Sequence, residues 1–111
     1  MIVAGQLDIE ITQGFPFDLT WDWTLDGQLA PLAGHTGYLW LKDADSPYTV
    51  VMPATVDNGK VTLTDPGNIA IHLSHVDTAA LGLGMYEWKY VDVDLDLVPN
   101  PVLSGRCRVV A

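Results

Sequence analysis

The chain has few groups suited to covalent chemistry and little positive charge. Its 111 residues include one cysteine, Cys107, so no disulfide can form within the chain. Cys107 falls inside an alternating strand pattern, where a small buried filler is expected in preference to a reactive thiol. Five basic residues stand against fourteen acidic ones, and the net charge of −9 argues against direct binding to nucleic acid phosphates or an anionic membrane. The acids are scattered among strand positions and turns, which favours plain solubility over the dense run that a DNA mimic would need. No apolar run approaches the roughly 18 residues that cross a bilayer. The first residues, Met1-Ile2-Val3-Ala4-Gly5, lack the charged n-region and long h-region of a secretory signal, so a product made and used in a cytoplasm is expected.

What is abundant is apolar residues, at 49%, and they recur with period two. Length and composition suit one domain over residues 1–111. From Phe15 to Leu25 the odd positions are Phe15, Phe17, Leu19, Trp21, Trp23 and Leu25, and the even ones are polar or proline. Side chains alternate faces along a strand, so this stretch has one apolar face; a helix would spread those aromatics around its circumference. Leu7, Ile9 and Ile11 behave alike. Gln13-Gly14 interrupts the two runs, predicting a hairpin or a bulged single strand. Asp26-Gly27 is a turn, residues 29–37 form a connector, and Tyr38-Leu39-Trp40-Leu41 reads as a central strand. A short run ending at Pro53, a hairpin turn at Asn58-Gly59, and alternation through Val61–Thr64 and Ile69–Leu73 follow.

One stretch reads as helix. Ser74 caps it, Asp77 returns the bond to the cap, and Gly82 stops it, giving one or two turns near Ser74–Leu81 that pack as a plug between strands. Tyr86, Trp88 and Tyr90 share one parity and Val91, Val93 and Leu95 the other, so the inward face is expected to switch near Tyr90–Val91. Pro99-Asn100-Pro101 turns the chain into a last strand ending near Val109. About seven to nine short strands with regular turns predict an all-β antiparallel sandwich, immunoglobulin-like or similar.

No constellation points to catalysis or a cofactor. Asp92-x-Asp94-x-Asp96 begins like a calcium loop but lacks the glycine and final glutamate; strand alternation explains it as three carboxylates on a solvent face, opposing Arg106 and Arg108. His72 and His75 would form a metal pair only on a helix, and zinc wants at least three protein ligands. His35 reads as a hydrogen-bonding turn residue. The serines lack a glycine-framed elbow. Three of the four tryptophans fall on apolar strand faces, which favours core filling over sugar stacking.

The order of these motifs is more specific than any one of them. Thr12-Gln13-Gly14-Phe15-Pro16-Phe17-Asp18-Leu19 is followed by Leu32-Ala33-Gly34-His35-Thr36, Val61-Thr62-Leu63-Thr64 and Ile69-Ala70-Ile71-His72-Leu73-Ser74. Asp77-Thr78-Ala79-Ala80-Leu81, Gly84-Met85-Tyr86-Glu87-Trp88 and Leu103-Ser104-Gly105-Arg106-Cys107-Arg108-Val109 come next. From about Leu7 to Val109 the series resembles small β-sandwich structural proteins of tailed bacteriophages and prophages, including LtfC-like minor tail proteins, and is similar to the N-terminal domain of phage baseplate upper proteins. Gln13-Gly14-Phe15 departs from that pattern's Gln-Gly-Asp, and Asp92 to Asp96 replaces its usual charged residues.

The resemblance implies a non-enzymatic virion protein, a minor tail or tail-tip component assembled in the host bacterial cytoplasm. Its partners would be other phage structural proteins, in multiple copies per virion, with no nucleic acid, membrane, metal or cofactor. A capsid decoration or head–tail junction protein is the near variant, and a carbohydrate- or receptor-binding module the alternative of another class. The docking contacts are expected at the turns carrying Asp45, Ser46, Tyr48 and Asn100 and on the last strand at Arg106 and Arg108.

Overall fold

Period-two patterning becomes strand almost wherever it occurs. The computed structural model describes residues 5–44 and 50–111, and among them it contains eleven strands and one short helix. In chain order these are β1 (Gly5–Gln6), β2 (Ile9–Thr12), β3 (Phe17–Asp22), β4 (Thr24–Leu25), β5 (Gln28–Leu29), β6 (Thr36–Asp43) and β7 (Val50–Thr55). Then come β8 (Val61–Thr64), β9 (Asn68–Leu73), α1 (His75–Ala79), β10 (Gly84–Val93) and β11 (Pro99–Val110).

The fold is an all-β sandwich. A six-stranded sheet runs β1-β11-β10-β6-β7, with β2 also on β11, and a three-stranded sheet runs β3-β9-β8. The strands pair antiparallel except β1 and β2, which run parallel to β11. Leu39, Leu41, Trp88 and Tyr90 from the large sheet and Ile69, Ile71 and Leu73 from the small one share one core. Each such side chain contributes roughly 1.5–3 kcal/mol by leaving water. Trp21 meets Tyr90 edge to face across the layers, ring centroids 5.2 Å apart. Cys107 is buried in this core, and burial pushes its thiol up to about 12, so it is protonated and inert at neutral pH.

Several sequence expectations change in the structure; Pro99-Asn100-Pro101, expected as a turn, opens β11 and pairs with Val91–Val93. β2 and β3 are neither a hairpin nor one bent strand, because they belong to opposite sheets. Gly14, at φ 79°, turns the chain between them, and α1 holds this crossover. The Thr78 hydroxyl accepts from Gly14 N–H and donates to the Phe15 carbonyl, while Gln13 Nε2 donates to the Leu81 carbonyl. Phe15 therefore lies outside the strand and is exposed.

Asn58-Gly59 likewise carries the chain from one sheet to the other, joining β7 to β8 without pairing them. Pro53 does not end its strand. β7 is an edge strand, where a missing N–H is tolerated, and a bulge opposite Trp40 absorbs Met52 and Pro53. The helix keeps its expected place: Ser74 Oγ accepts from Asp77 N–H and the Asp77 carboxylate accepts from Ser74 N–H. Lys60 pairs with the same carboxylate, and these contacts hold it at about 2.

Candidate docking site

The end of the sandwich where β10 turns into β11 is built from strand phase. Tyr86, Trp88, Tyr90 and Asp92 all point into the core, so the expected switch of faces at Tyr90–Val91 does not occur. A bulge is present at that point, but β11 absorbs it: Tyr90 faces Leu103 and Val91 faces Pro101. β10 thus keeps its phase and carries a carboxylate to a core position. Asp92 faces Asn100, while Arg106 and Arg108 face Glu87 and Met85, so the expected ladder of three aspartates against two arginines is not formed.

Buried Asp92, at 0% exposure, accepts from or shares a proton with His35 Nδ1 at 2.8 Å, and the His35 side chain is itself only 12% exposed. Burial raises the Asp92 carboxyl above its ordinary range, the His35 bond opposes this, and nearby Asp94 adds to it. The contact fixes the 30–37 connector to β10. Leu32 N–H donates to Asp65, and Gly34, at φ 76°, lies against the Leu95 side chain.

Asp94 then organises residues 94–98. Its Oδ1 accepts from the amides of Asp96 and Val98, and Oδ2 accepts from Asn100 Nδ2. Leu97 N–H donates to the Asp94 carbonyl and Asp94 N–H to the Val98 carbonyl. Asn100 Nδ2 also reaches the Val98 carbonyl. Leu97 adopts φ 61°, a left-handed conformation that costs a non-glycine residue roughly 1–2 kcal/mol and that these bonds enforce.

The result is a tied loop whose apolar side chains face water. Leu95 is 70% exposed, Leu97 79% and Val98 48%. Adjacent exposed apolar groups on a hydrogen-bonded loop make it a candidate interaction surface, because the backbone there is already ordered.

The Asp94 carboxyl is held below its ordinary value by the Val98 amide first, then by Asn100. A depressed folded value means the loop is supported above the ordinary aspartate range and loosens as pH falls through the lower, folded value. Asp94→Ala should therefore collapse hydrogen-exchange protection at the Asp96 and Val98 amides at neutral pH, and strong acid should do the same to the native chain. Protection unchanged in both cases contradicts the assignment.

Of the residues expected to dock, Asp45, Ser46 and Tyr48 lie outside the described residues. Asn100 is half-buried in the stem of the tied loop, where it braces Asp94. Arg106 and Arg108 are exposed on the outer face of the large sheet, away from that loop. Leu95, Leu97 and Val98 were not expected, since strand alternation covers their spacing; the signal available was Asp94 followed by Pro99-Asn100-Pro101, an aspartate-initiated turn. Asp92, Asp94 and Asp96 do not converge, and among the described residues no group of three His, Cys, Asp or Glu could hold a metal. His72 pairs with Asp18 on the outer face of the small sheet, apart from His75 in α1.

No protein-family model matches the chain, and no curated protein matches it in sequence. Among solved structures, the extracellular domains 3–5 of Drosophila OTK are similar over 96% of this chain at 18% identity and a TM-score of 0.34. The match takes in 33% of that chain, so this protein spans about a third of its length.

Proposed function

We propose that the protein is a structural component of a tailed-bacteriophage virion, a minor tail or tail-tip protein that docks on a larger assembly through one end of its sandwich. The observation that carries the docking role is the 94–98 loop, whose polar backbone is satisfied internally while Leu95, Leu97 and Val98 face solvent. Burying such a trio against a partner releases roughly 25 cal/mol per Å² of apolar surface, and little ordering cost opposes it. The ordered motif series from Leu7 to Val109 supports the virion assignment.

The tryptophans favour docking over sugar stacking. Trp88 is fully buried, Trp23 nearly so, and Trp21 packs against Tyr90. Trp40 lies half-buried on the outer face, but the Lys89 ammonium sits 5.2 Å from its ring centroid and covers it.

The test is the protein content of virions purified from the phage or induced prophage that encodes the chain. Mass spectrometry should find it in intact particles, and gold-labelled antibody should decorate the tail. Label on heads only moves the assignment to a capsid decoration protein. Particles that lack the chain overturn the proposal.

A further inference from the structure

The basic residues are few and segregated. Lys42, Lys89, Arg106 and Arg108 all lie on strands of the six-stranded sheet at outward positions, leaving only Lys60 elsewhere. The register interlaces them with acids: Glu87 stands between Arg106 and Lys42, and Glu10 beside Arg108. Asp8, whose carboxylate accepts from Arg106 N–H, is the third acid there. This face is therefore net positive, whereas the other ten described acids lie off it. It also carries Tyr38 in partial exposure and Met85 exposed, residue types enriched where proteins meet.

The opposite face has the complementary character. On the outside of the three-stranded sheet Asp18 and Asp22 are exposed, Asp18 beside its partner His72 and Asp22 accepting from Asn68 Nδ2, with Thr20, Thr62 and Thr64 around them. Asp57 and Asp65 lie in the turns flanking β8.

We propose that the chain associates with copies of itself head to tail, the outer face of the six-stranded sheet of one copy packing on the outer face of the three-stranded sheet of the next. Charge complementarity within one molecule selects a second copy as the occupant. The three-stranded sheet, with strands of six, four and six residues, offers a face smaller than the roughly 800 Å² per partner of a standard interface, so the contact belongs to the weak, concentration-dependent class. Such a contact uses two different patches, so it builds rings or filaments instead of closed pairs. The like net charges oppose approach at very low ionic strength. At physiological salt the Debye length is about 8 Å, which screens that long-range repulsion while close opposite charges still attract. The inference does not depend on the virion assignment.

Sedimentation velocity of the full chain at rising concentration tests it. The native protein should form oligomers larger than dimers at physiological salt and return to monomer at high salt. Arg106→Glu with Arg108→Glu, and separately Asp18→Lys with Asp22→Lys, should each weaken self-association by at least about tenfold. Mixing the two double variants should restore association, since each then supplies the patch the other lacks. Unchanged thermal melting of each variant shows that folding is intact. A native chain that is monomeric at every concentration overturns the proposal. So does an Asp18→Lys, Asp22→Lys variant that still self-associates, because the large sheet would then be pairing with itself.

Discussion

Gly105→Ala should destabilise the protein by about 3 kcal/mol or more, which for a domain of this size lowers the melting temperature by roughly 12 °C. Gly105 lies opposite Trp88, under the point where the chain passes from β1 to β2. A Cβ there would sit 2.7 Å from the Leu7 carbonyl carbon and closer still to its oxygen. Backbone has to move, and it is backbone with a job: the Leu7 carbonyl accepts from the indole N–H of fully buried Trp88 at 2.7 Å. Displacing it leaves a buried donor unsatisfied and strips the parallel strands from β11. Thermal melting measures the loss, and hydrogen exchange should locate it at Leu7, whose amide donates to Ser104. A shift of only a degree or two would mean that the N-terminal strands are not held as described.

Gly37→Ala is expected to cost as much, and Tyr90→Phe should relieve part of it. The added methyl at Gly37 would meet the Tyr90 hydroxyl inside contact distance, with the ring carbon bearing it at 2.7 Å and the Val91 carbonyl at 2.9 Å. The Tyr90 hydroxyl is buried and meets no hydrogen-bond partner among the described residues. Removing it alone should leave stability unchanged or raise it by up to about 1 kcal/mol, since a buried group without a partner has only its desolvation cost to lose. In the double variant the penalty should be smaller than the sum of the single effects, by at least about 0.5 kcal/mol. Strict additivity in a denaturant-melt cycle would show that the two residues do not meet.

Much of this architecture is legible in residue order, because strand alternation is a local signal. The inward rows Phe17-Leu19-Trp21 and Tyr86-Trp88-Tyr90, the Ser74–Asp77 capping box and the β10–β11 hairpin follow from neighbours in sequence. What escapes is whatever depends on pairing between distant segments. Gln13-Gly14 and Asn58-Gly59 have the composition of hairpin turns, yet each transfers the chain between layers, and only the partners of Gly14 on α1 and of β8 on β9 decide that. Asp92 looks like an outward strand carboxylate until a bulge in the opposite strand and a histidine 57 residues away place it in the core. The 94–98 loop is hidden for the same reason: alternation of Asp and Leu suits a strand, and the bonds that curl it around Asp94 come from Val98 and Asn100.

In the proposed function the 94–98 loop is the surface by which the protein joins its assembly. The most direct measurement is the incorporation of a Leu95→Ser, Leu97→Ser variant into virions when it is produced alongside the native chain and both are quantified by mass spectrometry. Both side chains are exposed, so the variant should melt as the native protein does, while its share of the particles falls at least about tenfold below its share of the lysate. Equal shares in particle and lysate would contradict the claim and move the docking surface elsewhere on the sandwich.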